Sequence, residues 1–368
     1  MVNQRFVDPD KLKHPRSAST PYWTTDLPIN GRPAVSIANG GAPKVPNWHR
    51  FPGGFWFKFR PRSQIRCLLS RSLARLAPRA LPYSKLFSPT ENTPPRAVTR
   101  KVDSDASKAL AAKGVEVVAA DLFDKESLKK AVRGSEAVFG VTNFWDPSVF
   151  PADETGKGEI TQGKNLVDAA KEVGVKFFIW SSLPNVAKES NGLYKHVYHY
   201  DNKAAIDEYL KASGVPYAVL QTFWFGENLW KLGSLTKTDT GYIIPVPKYG
   251  PDDIQSATWV GKDLGPSAVA LLKNYTDGSK GVVGKVYPVV SLRFTYTELA
   301  AAIAIAIKKE VKFVPVETAG NAEIDEMFLF QAKVPVKTPS PNPDLVALGV
   351  KFASLSDFVQ KEIVPRFA

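Results

Sequence analysis

The sequence predicts an α/β fold in which helices cover both faces of a largely parallel sheet. Two observations carry this. Short runs rich in Val, Phe and Ile, at 96–100, 115–120, 136–142 and 175–181, alternate with helix-patterned segments. Near-continuous apolar strands of this kind are the ones buried on both faces. Each run also ends in polar residues, among them Arg100, Asp121, Thr142-Asn143 and Ser181-Ser182, at the carboxyl edge where open α/β sheets bind ligands.

Each element has a local reason. Residues 1–61 carry nine prolines. A fixed φ and a missing N–H leave no long helix or central strand at that density. The segment therefore reads as a basic, disordered or extended N-terminal extension whose one candidate strand is Phe55–Phe59. Over 62–79, Ile65, Leu68, Leu69, Leu73 and Leu76 share a helical stripe with the arginines mostly elsewhere, the pattern of a helix laying leucines on the sheet. From Arg96 the text is regular. Ser104 caps a helix near 104–113 that stops at Gly114, helices follow at 125–133, 155–173 and 199–213, and a strand at 215–221 follows Gly214. Beyond about 225 the pattern loosens: 231–253 reads as an irregular insertion, 263–273 and 297–308 as helices, and 311–316 as a strand. Residues 320–335 and 354–363 read as helices around a proline-rich loop. The expected division is 1–61, an atypical segment at 62–95, and one α/β domain over 96–368 with a smaller C-terminal substrate-side region.

Composition narrows the function classes. No apolar run reaches the length of a membrane span, and the N-terminus lacks a signal-peptide stretch, so the cytoplasm, or the nucleus, is the expected compartment. The single cysteine, Cys67, excludes an internal disulfide and a cysteine metal cage. The four histidines form no H-x-x-x-H pair and there is no G-x-S-x-G elbow. The net charge is +12, but residues 1–100 hold 17 basic and 4 acidic residues against 31 and 32 in the remainder. The basic character belongs to the extension, so nucleic-acid binding by the domain is not expected.

Arg100 ends a strand, and a guanidinium there can fork onto phosphate oxygens. The strings Arg-Ala-Val-Thr-Arg at 96–100, Thr-Asn-Phe-Trp at 142–145, Gln-Gly-Lys-Asn-Leu-Val-Asp-Ala-Ala at 162–170, His-Tyr-Asp-Asn-Lys at 199–203, Gly-Val-Pro at 214–216 and Gly-Glu-Asn-Leu at 226–229 together resemble the NmrA-like proteins, atypical members of the short-chain dehydrogenase/reductase superfamily. The resemblance implies a Rossmann-like NADP-binding fold used for redox sensing or transcriptional control through protein contacts. A GATA-type transcription factor is the precedent for the partner. It also implies site roles: Arg100 facing the 2′-phosphate, Asp121 and Leu122 at the adenine, Thr142, Asn143 and Phe144 along the cofactor, Lys203 at the nicotinamide ribose, and Phe225, Gly226, Glu227 and Asn228 near the nicotinamide end. Asp121 can equally cap the helix near Lys125. Where some relatives carry a cofactor-contacting lysine, this chain has Thr161.

Two departures bear on function. Catalytic short-chain dehydrogenases use Tyr-x-x-x-Lys, whose spacing puts phenol and ammonium on one helix face. Here His199 stands four residues before Lys203, with Tyr198 and Tyr200 one residue out of register, so an efficient dehydrogenase is not expected. The alternative is an isoflavone-reductase-like NADPH-dependent reductase with His199 or a nearby tyrosine as acid, and with Ser181 or Ser182 on the strand where the superfamily's catalytic serine sits. Second, family members begin with a strand that runs into a Gly-rich turn, whose N–H groups approach the pyrophosphate. Residues 55–95 hold no such turn. Either Phe55–Arg60 and 62–76 stand in for the first strand and helix, or the strand is missing, or this text comes from a mistaken exon.

Overall fold

The computed structural model describes residues 56–58 and 95–368. The proline-rich extension and the expected 62–79 helix lie outside the described residues. In chain order the main sheet is built from β1 (Trp56–Lys58), β2 (Arg96–Thr99), β3 (Glu116–Ala119), β4 (Ala137–Gly140), β5 (Phe177–Ser182) and β6 (Tyr217–Gln221). Intervening helices are α1 (Asp105–Ala111), α2 (Lys125–Val132), α3 (Gly158–Glu172) and α4 (Tyr198–Ser213). Sequence and structure agree closely here. Ser104 accepts from the Ser107 N–H at the start of α1. Gly114 and Gly214 take positive φ at the stops, a conformation that costs glycine little. Every residue of β4 and β5 is buried, as strands covered by helices on both faces must be.

With the Val286–Pro288 strand at one edge, the sheet order is Val286–Pro288, β6, β5, β4, β1, β2, β3. The first strand is therefore present in the central slot, but it runs against its neighbours. Trp56 pairs with Val98 and Lys58 with Arg96, and the pairing with β4 is also antiparallel. Its carboxyl end thus points to the amino edge of the parallel strands. The possibility that the strand is missing is set aside; the substitution by residues near 55–60 holds for position and not for direction.

Helices α3 and α4 approach closely at Gly163, where an added Cβ would come within 2.6 Å of Ile206 Cγ1 and 2.8 Å of Cγ2. Leu128, Leu166, Ile206 and Leu210 close the main core over Phe178, Ile179 and Trp180.

The C-terminal region holds two three-stranded sheets. One joins Trp224–Phe225, Ile254–Thr258 and Leu292–Thr295; the other joins Thr236–Lys237, Gly241–Pro247 and Glu310–Val316. The expectation of an irregular insertion over 231–253 is corrected by the seven-residue strand Gly241–Pro247, parallel to Glu310–Val316. Pro245 and Pro247 hid it. Its second neighbour pairs only with Tyr242 and Ile243, so both prolines fall where one strand edge is open and a missing N–H is tolerated. The last helix is also broken, with a π-turn at Val359–Ile363. Among the described residues, no helix is long and apolar enough to cross a membrane.

Candidate nucleotide site

Parallel strands deliver their carboxyl ends to one edge, and there the residues that follow β2, β3 and β4 meet. Arg100, Ala120, Asp121, Leu122, Asn143, Asp146 and Gln162 line one shallow cleft there. Four of these, Arg100, Asp121, Leu122 and Asn143, were expected from sequence to contact one ligand. Asp121 does not cap α2. Asp124 does, accepting from the Ser127 N–H, while the Asp121 carboxylate accepts from Phe123 N–H at 2.8 Å.

The 162–165 string has three separate tasks. Gln162 faces the cleft, Gly163 lets α4 approach, and Asn165 Nδ2 donates to the Leu122 carbonyl at 3.0 Å, fixing the loop that carries Asp121. Arg100 is ion-paired with Asp146, which is 5% exposed. Burial opposes ionisation of Asp146, but hydrogen bonds from Ser148 and the Arg100 guanidinium outweigh it and hold its pKa below the usual carboxylate range. Arg96, by contrast, is structural. It is buried beside Glu116 at 2.7 Å and donates to Ala131 O at 3.1 Å.

A second polar centre adjoins the first at Thr142. Lys203 Nζ is ion-paired with Glu159, lies 3.3 Å from Thr142 Oγ1, and shares that carboxylate with the Thr142 hydroxyl, which donates to it at 2.8 Å. Glu159 is wholly buried. One turn before Lys203 on α4, the His199 N–H donates to Glu323 Oε1 at 2.9 Å and Nδ1 lies 2.6 Å from the same oxygen. Glu323 begins the helix Ala322–Lys333. A carboxylate on Nδ1 favours the Nδ1–H tautomer and leaves Nε2 as the proton-accepting nitrogen. The ring sits among Phe144, Trp145 and Tyr200, with centroids 5.8, 5.3 and 4.8 Å away. One turn beyond Lys203, burial pushes the Asp207 carboxyl up to about 7, offset in part by the Ser182 hydroxyl and the Trp180 indole. Ser181 is buried at the end of β5.

The 225–228 segment does not line the Arg100 cleft. Glu227 accepts from the N–H groups of Val260 and Gly261, at 3.2 and 2.7 Å, and Gly226 packs on Phe358, while Phe225 is partly exposed. Sequence reasoning missed Asp146, Glu159, Gln162 and Glu323. Gln162 lay inside a matched string and Asp146 directly follows Thr-Asn-Phe-Trp, so both had a signal; Glu159 and Glu323 had none.

The cleft gathers a guanidinium, a carboxylate pair and two side-chain amides. Asn143 Nδ2 and Gln162 Oε1 are buried without a hydrogen-bond partner, one donor and one acceptor beside a guanidinium. Buried polar groups left unpaired are costly. Among the described residues, no group of three or more His, Cys, Asp or Glu could hold a metal.

A family model described as the NmrA-like family matches residues 86–337. The chain is 31% identical over 180 residues to the NmrA-like family domain-containing oxidoreductase malD of Malbranchea aurantiaca, a match covering 46% of this chain and 53% of malD. The chain thus spans about half the length of that relative. Among solved structures, it resembles NmrA, a negative transcriptional regulator, in complex with NADP (TM-score 0.60, 17% identity, 80% of this chain and 91% of that one). It also resembles the NADPH-dependent quinone oxidoreductase QOR2 of Escherichia coli complexed with NADPH (TM-score 0.56, 21% identity, 73% and 90%). At these identities the structural likeness shows the fold.

Proposed function

The chain belongs to the NmrA-like family, and from that premise we propose that it binds NADP(H) at the carboxyl edge of its sheet and signals nucleotide occupancy through protein contacts. The observation that carries the binding reading is the meeting of Arg100, Asp121, Leu122, Asn143 and Gln162 in one cleft, two of them with unpartnered buried polar atoms. Arg100 would face the 2′-phosphate, Asn143 and Gln162 the adenosine, and Thr142 and Lys203 the path toward the nicotinamide. The nicotinamide supplies hydride chemistry when bound. Two features support a signalling role over turnover. No tyrosine stands four residues before Lys203, and Lys203 is already engaged by Glu159 and Thr142. Calorimetric titration of the purified chain with NADP+ and NADPH tests this: micromolar binding weakened by Arg100→Ala is expected, and no binding removes the proposal.

A second reading, an NADPH-dependent reductase, is favoured by the Glu323–His199 pair, which presents Nε2 for proton transfer, and by the oxidoreductase name of the malD relative. Steady NADPH oxidation with quinone acceptors, lost on His199→Gln while binding persists, would select it.

A further inference from the structure

The guanidinium expected to meet a 2′-phosphate already has a partner. Arg100 Nη2 donates to Asp146 Oδ2, and in this pair the arginine side chain keeps 38% of its surface exposed and the aspartate 7%. The other oxygen of Asp146 is fixed by Ser148, whose N–H donates at 3.0 Å and whose hydroxyl donates at 2.6 Å. The carboxylate cannot swing aside without abandoning both donors. Arg100 and Asp146 line the same cleft as Asp121 and Asn143.

We propose that Asp146 is a specificity-determining residue of the nucleotide site, holding down the preference for NADP(H) over NAD(H) that Arg100 alone would impose. A 2′-phosphate on Arg100 brings a dianion against a fixed, buried carboxylate, and like charges sharing one site disfavour each other. A ribose 2′-hydroxyl meets the same carboxylate as an acceptor. The pair therefore offers each form of the cofactor one favourable partner, and the two forms compete on nearly equal terms. This inference rests on the nucleotide-binding reading above.

The test measures Kd for NADP+ and NAD+ with the full chain and with Asp146→Asn, Arg100→Ala and the double variant. Asparagine keeps an oxygen for Ser148 and removes both the charge and the acceptor that face Arg100, freeing the guanidinium. The expected result is a shift of about tenfold or more toward NADP+ in Asp146→Asn, abolished when Arg100→Ala is added. A ratio that moves less than about twofold, or a gain that survives the loss of Arg100, overturns the inference and leaves nucleotide binding standing. Absence of binding by all four proteins overturns both. A measurement without substitution guards against a variant that fails to fold: adenosine 2′,5′-bisphosphate should compete less than about tenfold better than adenosine 5′-monophosphate, and a larger preference contradicts the proposal.

Discussion

Glu323 holds His199 twice, taking its backbone N–H at 2.9 Å and lying 2.6 Å from its Nδ1 with the same carboxylate oxygen. The two residues are 124 positions apart, so the start of α4, which presents both His199 and Lys203, is set by the C-terminal region. Replacing Glu323 by Ala strands a buried N–H and an imidazole. It is expected to cost about 1–3 kcal/mol and to loosen the histidine tautomer. Urea unfolding and the imidazole 15N shifts of His199 check this; unchanged shifts would contradict it.

Lys203 and Glu159 form a buried pair, with side-chain exposures of 12% and 0%. Lys203→Met alone leaves a carboxylate sealed without its cation, at a cost of about 3–5 kcal/mol. Lys203→Met with Glu159→Gln should recover most of that, as a double-mutant cycle in urea would read. A loss of nucleotide binding in a lysine variant therefore means something only once folding has been verified. A single variant as stable as the parent would show that the pair carries no structural role.

Asp207 is pushed up to about 7 by burial, against about 4 for an unfolded aspartate. Between these values the folded state holds the extra proton, so stability falls as pH rises from about 4 to about 7 and is level above. Asp207→Asn should leave stability near pH 4 almost unchanged and raise it at pH 8, by at most about 4 kcal/mol. Melting curves at the two pH values decide it. Equal gains at both would contradict burial of the charge as the cause.

Gly163 separates two rules by sign. Helix propensity says Gly163→Ala stabilises by about 1 kcal/mol. Packing against Ile206, whose Cγ1 and Cγ2 would lie 2.6 and 2.8 Å from the new Cβ, says it destabilises by about 1–3 kcal/mol. The close approach should win, and a lowered melting temperature is the expected reading.

The parts of this molecule legible in sequence are those fixed locally. Ser104, Gly114 and Gly214 mark helix ends through their own backbone and side-chain chemistry, and apolar runs such as Ala137–Gly140 show double burial by composition alone. Arg100, Asp121 and Asn143 were placeable because parallel strands end together. Other features depend on tertiary pairing. The direction of β1 is decided by register with Val98 and Phe139, and a three-residue strand has no periodicity that reveals it. Asp146, Glu159 and Glu323 are ordinary acidic residues until the fold sets them beside Arg100, Lys203 and His199. Pro245 and Pro247 argued against a strand that an open edge permits.

On the nucleotide-binding reading, a nicotinamide dinucleotide occupies the cleft between Arg100 and Gln162. Hydrogen–deuterium exchange on the full chain, with and without saturating NADPH, tests it most directly. Slowed exchange at 120–123, 142–146 and 158–165, reduced in Arg100→Ala, is the result predicted. Unchanged exchange in all three segments, or protection confined to other parts of the chain, would contradict it.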